Sequence, residues 1–159
     1  MIRGVHHISL STTDIDRLLG FYSGLLGLEV RQAATAEETD ETFQNIVGLK
    51  NAAYRAAWLS AGNVEIEIFQ YLSPIGQPVT VSPACDAGIR HICFEVRGIA
   101  GEYARLKAAG VPFFSEPQHV PEAGVTTCYA RDPDGNIVEL QEVHAGSVLP
   151  DVTTFSPLG

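Results

Sequence analysis

Over residues 5–11 apolar and polar positions alternate, so that Ile8 and Leu10 take one face of an extended strand and His7, Ser9 and Ser11 the other. The period then lengthens. Ile15, Leu18, Leu19, Tyr22, Leu25 and Leu26 recur at helical spacing before Gly27 stops the run, with Thr13 and Asp16 placed as an N-terminal capping pair. A second strand starts over residues 28–31, the polar stretch 33–42 reads as a surface insertion, and a short helix is expected around residues 43–48. Residues 53–60 and 64–71 read as a hairpin whose second strand sets Val64, Ile66 and Ile68 against Glu65, Glu67 and Phe69. Residues 73–86 contain Pro74, Pro78 and Pro83, which suit neither a helix interior nor a central strand, and read as a linker.

After the linker the same order returns. Residues 91–96 put Ile92, Phe94 and Val96 on one face and His91, Cys93 and Glu95 on the other. Ile99, Tyr103, Leu106 and Ala109 mark a helix that Gly110 ends, residues 111–115 give a strand, and 126–131 with 136–143 give a last hairpin. Each half therefore reads strand, helix, three strands. An offset of 84 residues lays Gly88 on Gly4, His91 on His7, Ile92 on Ile8 and Ile99 on Ile15, the mark of a duplication. The tail, residues 146–159, reads as an irregular extension.

A polar residue on the outer face of a one-sided sheet normally meets water. Here a His recurs in the first strand of each half and a Glu in a late strand of each, always opposite an apolar face. His7, Glu67, His91 and Glu139 are therefore the candidate metal ligands. Two imidazoles and two carboxylates balance a divalent ion and leave coordination positions for two waters or a bidentate substrate. Such a set accepts nickel, zinc, cobalt, manganese, magnesium or iron. Glu65 is the alternative ligand in the first half; Glu67 is preferred because its Glu-Ile-Phe context matches Glu-Leu-Gln around Glu139. His6 is expected on the core side of its strand, and His119 and His144 in loops. Cys93 shares the face of His91, Trp58 and Tyr129 are expected to pack on strands, and Arg55 is a candidate substrate contact.

A length of 159 residues predicts one domain. Three cysteines, with no C-x-x-C pair, indicate neither a disulfide framework nor a zinc ribbon and fit a reducing, cytoplasmic setting. The start, MIRGVHHISL, lacks the features of a signal peptide, and no stretch reaches the ~20 apolar residues of a membrane span. A net charge of −9 with only 10 Lys plus Arg has the wrong sign for nucleic acid. The expected partner is a small molecule, without nucleic acid or membrane.

The segments VHHISL, GNVEIEIF, GIRHICFEV and YARDPDGNIVELQE resemble the strand motifs of the vicinal oxygen chelate superfamily, the glyoxalase, bleomycin resistance and dioxygenase proteins. The resemblance covers nearly residues 1–144: a module of about 1–72, the linker, and a module of about 87–144, with 145–159 as the extension. It implies an α+β fold of two tandem βαβββ modules whose sheets form an open, curled mixed barrel around a metal site, often as a homodimer. Carried over by position, the family's ligands fall on His7, Glu67, His91 and Glu139. The resemblance also implies a metal-dependent lyase or isomerase of the glyoxalase type, in which Glu67 or Glu139 moves a proton alpha to a metal-bound carbonyl through an enolate or enediolate. Its alternatives are an acyl-CoA epimerase-like enzyme, an extradiol-type dioxygenase using iron, and a metal-free drug-binding protein. The epimerase branch carries a further glutamate before the first hairpin, and GLKNAAYRAAWL here has none.

Overall fold

The structure, a computed structural model, describes residues 1–154. Its first compact unit, residues 1–79, contains β1 (His7–Ser11), α1 (Ile15–Leu19), β2 (Glu29–Ala36), α2 (Glu41–Val47), β3 (Ala53–Ser60) and β4 (Glu65–Ser73). The second unit, from residue 80, contains β5 (His91–Glu95), α3 (Ile99–Ala108), β6 (Gln118–Val120), β7 (Val125–Arg131) and β8 (Ile137–Val143), then a single 3-10 turn at Val152–Thr154. Each unit builds one four-stranded sheet, in the orders β1-β4-β3-β2 and β5-β8-β7-β6. In both, the first strand pairs in parallel with the last and the remaining pairs are antiparallel. A parallel pair needs a long crossover connection, and the helix after β1 or β5 begins it. The α+β class and the two tandem βαβββ modules are thus present, each sheet mixed and open at two edges.

The helical stripe identified by periodicity supplies one side of each core. Ile15, Leu18 and Tyr22 are buried where α1 lies against β4, together with Ala57, Leu59, Ile66 and Ile68 of the sheet. In the second unit Ile99 and Leu106 are buried where α3 lies against β8, with Val138, Leu140, Cys128 and Ala130. Truncating one such residue, Leu18→Ala for instance, costs about 2–5 kcal/mol. The opposite sheet faces carry the His and Glu residues. Among the described residues no helix is long and apolar enough to cross a membrane.

Several local expectations are corrected. The helix after β1 is α-helical only to Leu19 and continues as a π-helix over Gly20–Leu25. Its N-cap is Asp14, whose carboxylate accepts the Arg17 N–H at 3.1 Å, while Thr12 Oγ1 accepts the Asp14 N–H at 3.0 Å. Asp16 is drawn away by Arg55. Strand β2 runs on through Ala36 into the stretch taken for an insertion, because β3 is long enough to pair with it from Tyr54 to Ser60. Residues 111–115 do not form a strand. Pro112 has no N–H to offer a ladder, and only Phe113 makes a bridge, to Ala130. The edge strand is β6 instead, so His119 sits on a strand, opposite Thr126. Gly4 and Gly88, equivalent in the two repeats, have φ of 152° and 122°, a region that L side chains avoid, which explains why glycine stands before both His strands.

Candidate functional site

In the first unit β1 and β4 run in parallel with His7 opposite Glu65 and Ser9 opposite Glu67. Side chains alternate, so His7, Glu65 and Glu67 share a face, and His7 Nε2 lies 3.8 Å from Glu67 Oε2. In the second unit Cys93 stands opposite Glu139, and His91 Nε2 lies 3.1 Å from Glu139 Oε2. The register equates Glu67, not Glu65, with Glu139, since each stands opposite the residue two beyond its histidine. Both carboxylates are largely covered, their side chains 13% and 11% exposed, whereas the imidazoles of His7 and His91 are 42% and 37% exposed. An ion could therefore meet the nitrogen from solvent and the carboxylate from within the sheet face.

Neighbouring ligands at right angles on a divalent ion, with bonds of about 2.1 Å, stand roughly 3 Å apart. The His91–Glu139 pair already has that separation. The His7–Glu67 pair reaches it by closing less than about 1 Å, well within side-chain freedom. Nitrogen and carboxylate donors of this kind fit a borderline divalent metal. Among the described residues no group of three or more His, Cys, Asp or Glu side chains is placed so that it could hold a metal ion.

The two carboxylates differ in how they are held. The Thr127 hydroxyl donates to Glu139 Oε1 at 2.5 Å. Thr127 lies two residues before Tyr129, the cross-strand partner of Glu139, and the corresponding position in the first unit is Ala56, two before Trp58, the partner of Glu67. Alanine has no hydroxyl to give. Glu139 is therefore tethered at one oxygen, and Glu67 lacks that tether.

The imidazoles differ as well. His6 Nδ1 and His7 Nδ1 are 2.9 Å apart, one donating and the other accepting, with the rings edge to face. The bond orients the His7 ring and leaves its Nε2 directed at Glu67. The His6 carbonyl accepts the Glu65 N–H at 3.4 Å, but the residue lies just before β1 and is exposed, so its expected place on the core side is corrected. His91 instead leans on the Tyr129 ring, centroids 5.1 Å apart. Burial raises the Tyr129 phenol above its usual range, helped by the Glu139 charge and by Cys93. Neighbouring atoms desolvate the Cys93 thiol and Glu139 repels its thiolate, so it is pushed up to about 12 and stands protonated near neutrality.

Sequence reasoning passed over His6 and Thr127. The His-His dipeptide was the signal for the first, and the period of two from Tyr129 would have placed the second on the Glu139 face. It passed over a group of rings as well: Tyr54, Trp58, Phe69 and Tyr71 share the Glu67 face, and Phe43 of α2 stacks on Tyr54 at 4.8 Å. Arg55 is not with them. It lies on the helix side, where two guanidinium nitrogens donate to the Asp16 carboxylate at 2.8 Å and hold that carboxyl below its usual range. Its expected substrate contact is thus not what the structure shows. His119 and His144 instead flank the Thr126 hydroxyl, at 3.3 and 2.8 Å.

Three comparisons with known proteins bear on this arrangement. The family model described as Glyoxalase/Bleomycin resistance protein/Dioxygenase superfamily matches residues 4–140. An ethylmalonyl-CoA/methylmalonyl-CoA epimerase of Cereibacter sphaeroides is 29% identical over 90% of this chain and 100% of its own. Among solved structures, a glyoxalase family protein from Bacillus cereus superposes with a TM-score of 0.79 at 22% identity, covering 91% of this chain and 96% of that one. A mutant fosfomycin resistance protein of Listeria monocytogenes, complexed with Mn(II) and 1S,2S-dihydroxypropylphosphonic acid, shares the fold with a TM-score of 0.60 at 20% identity, over 91% and 96% of the two chains.

Proposed function

Because the chain belongs to the glyoxalase, bleomycin resistance and dioxygenase superfamily, we propose that it is a divalent-metal-dependent lyase or isomerase that moves a proton alpha to a carbonyl. His7 and Glu67 in the first module and His91 and Glu139 in the second are its metal ligands. One observation carries the reading: a His–Glu pair recurs at the same register in two separate sheets, with nitrogen and oxygen donors 3.8 and 3.1 Å apart. The Mn(II) held by the Listeria relative supports a divalent ion in this fold. When bound, the ion polarises a substrate carbonyl and acidifies the adjacent carbon-bound hydrogen.

The chain's own residues then divide the work. Glu139, tethered by Thr127, stays in place as a ligand. Glu67, without an equivalent tether, turns toward the carbon-bound hydrogen, takes the proton and returns it to carbon, a step that contributes about 10²–10⁴-fold in rate. His6 holds the His7 ring through this exchange. The protein acts in the cytoplasm, as a homodimer.

The relative from Cereibacter sphaeroides favours a second reading, an acyl-CoA epimerase. A two-base version of that reaction lacks a residue here, since β3 offers Tyr54, Ala56 and Trp58 to the Glu67 face and no carboxylate. The test is metal analysis of untagged protein before and after chelation, followed by proton NMR in D2O with hemithioacetals and acyl-CoA thioesters. Near one equivalent of nickel, zinc, cobalt or manganese, with metal-dependent loss of an alpha-proton signal, supports the proposal. Protein that binds none of these metals overturns it in favour of a metal-free binding protein, and stoichiometric iron with oxygen uptake on a catechol favours a dioxygenase.

A further inference from the structure

The residues around Glu67 also carry information about the substrate. On the same sheet face, Phe69 is 8% exposed and is ringed by Tyr71, stacked at 5.5 Å and 12°, by Tyr54 at 5.1 Å, Trp58 at 6.2 Å and Phe43 at 6.4 Å. Trp58 is the direct cross-strand partner of Glu67, and Phe69 and Tyr71 follow it at alternate positions along β4. The outer four rings keep part of their surface in solvent. They form an apolar aromatic wall that begins at the proposed proton-moving carboxylate.

Among the described residues the second module has no equal of it: around Tyr129 stand only the Phe114 ring, at 6.2 Å, and the His91 imidazole, at 5.1 Å. By register its residues at the places of Tyr54, Phe69 and Tyr71 are Val125, Gln141 and Val143, and only Tyr129 matches a ring, that of Trp58. The cation nearest in sequence, Arg55, is turned to the other face and neutralised by Asp16, so the wall offers no positive side chain from β3 to a phosphate.

We propose, resting on the metal-dependent reading above, that the substrate is a small oxygen-chelating compound bearing a flat aromatic group, and that this wall selects it. Its two adjacent oxygens lie toward Glu67 and its ring packs against the solvent-facing sides of Tyr54, Trp58 and Tyr71, over the buried Phe69. Offset and edge-to-face ring contacts favour such a group over an alkyl group by more than area alone.

The test uses the single tryptophan, Trp58, as reporter. Its fluorescence is titrated with mandelate and with lactate, which differ only by phenyl in place of methyl, in the full chain with and without Mn(II). The wall predicts a Kd for mandelate at least about tenfold lower than for lactate. In Tyr54→Leu and Tyr71→Leu, which remove partly exposed rings and leave an apolar side chain in place, that ratio falls toward one. Equal affinities, or a ratio unchanged in both variants, overturn the proposal. A signal that changes on protein dilution but not with mandelate does so too, because it assigns the wall to a second copy of the chain. A chain that binds no Mn(II) sinks the metal-dependent reading alone, since the mandelate preference measured without metal still reads the wall.

Discussion

Glu67 and Glu139 stand at the same rung of two separate sheets: Ser9, two residues after His7, faces the first, and Cys93, two residues after His91, faces the second. Glu65 sits one rung away, opposite His7 itself. Glu67→Ala and Glu139→Gln are each expected to weaken metal binding at least about tenfold, with Glu65→Ala near wild type. Isothermal titration with Mn(II) or Zn(II) measures this, and a larger loss in Glu65→Ala would move the ligand to that residue.

The tether on Glu139 gives a second expectation. Thr127→Val keeps shape and removes the hydroxyl that holds Oε1 at 2.5 Å. Loss of such a supporting bond typically lowers metal affinity 10–100-fold. Ala56→Thr, which offers Glu67 a comparable partner, should instead slow proton exchange while metal stays bound. Exchange rates and metal content measured on both variants separate the roles; identical effects would show that the two carboxylates are not divided in this way.

His6 is expected to act through His7. His6→Ala removes the ring partner 2.9 Å from His7 Nδ1 and frees the imidazole to rotate, so metal affinity falls roughly tenfold with little change in thermal stability. His6→Asn, which can still bond to the ring, recovers part of the loss. Unaltered affinity in the alanine variant would assign His6 to the surface.

Helix α3 supplies a prediction about pH. Its N-cap is Gly98, which has no side chain to cap with, and Glu142 of β8 takes that task, accepting the Gly98 and Ile99 N–H groups at 2.7 and 3.1 Å. Those two bonds hold the Glu142 carboxyl below its usual range. A depressed folded-state pKa stabilises the fold above the unfolded value of about 4.3, and that contribution disappears as pH falls through the folded value. Glu142→Ala should therefore lower stability by about 1 kcal/mol at pH 7, and the gap to wild type should narrow as acid protonates the carboxyl. Urea unfolding at pH 7 and near pH 3 decides it, and a gap that stays constant would refute the capping role.

Much of the fold was readable from periodicity, because alternation and helical spacing are local. The hairpin strand β3 falls where its pattern placed it, and the repeat of Gly-x-x-His-Ile is the mark of a duplication in the sequence itself. The four candidate ligands came from the same argument, since residues that recur opposite an apolar face in two copies need a common reason. What local pattern could not supply were choices made by partners far away in sequence. The length of β2 depended on β3 and the cap of α3 came from a carboxylate 43 residues on, whereas the shift of the edge strand from 111–115 to β6 follows from Pro112, a local signal.

The chain by itself determined which residues lie on which face, because side-chain direction follows from backbone period. Only tertiary structure decided which of two glutamates on one face matches Glu139, that Arg55 is spent on Asp16, that Thr127 holds one carboxylate while Ala56 leaves the other untethered, and that Glu67 stands beside a wall of rings. Each of these is a matter of register between strands, and register is set by the pairing of whole strands rather than by the residues that it brings together.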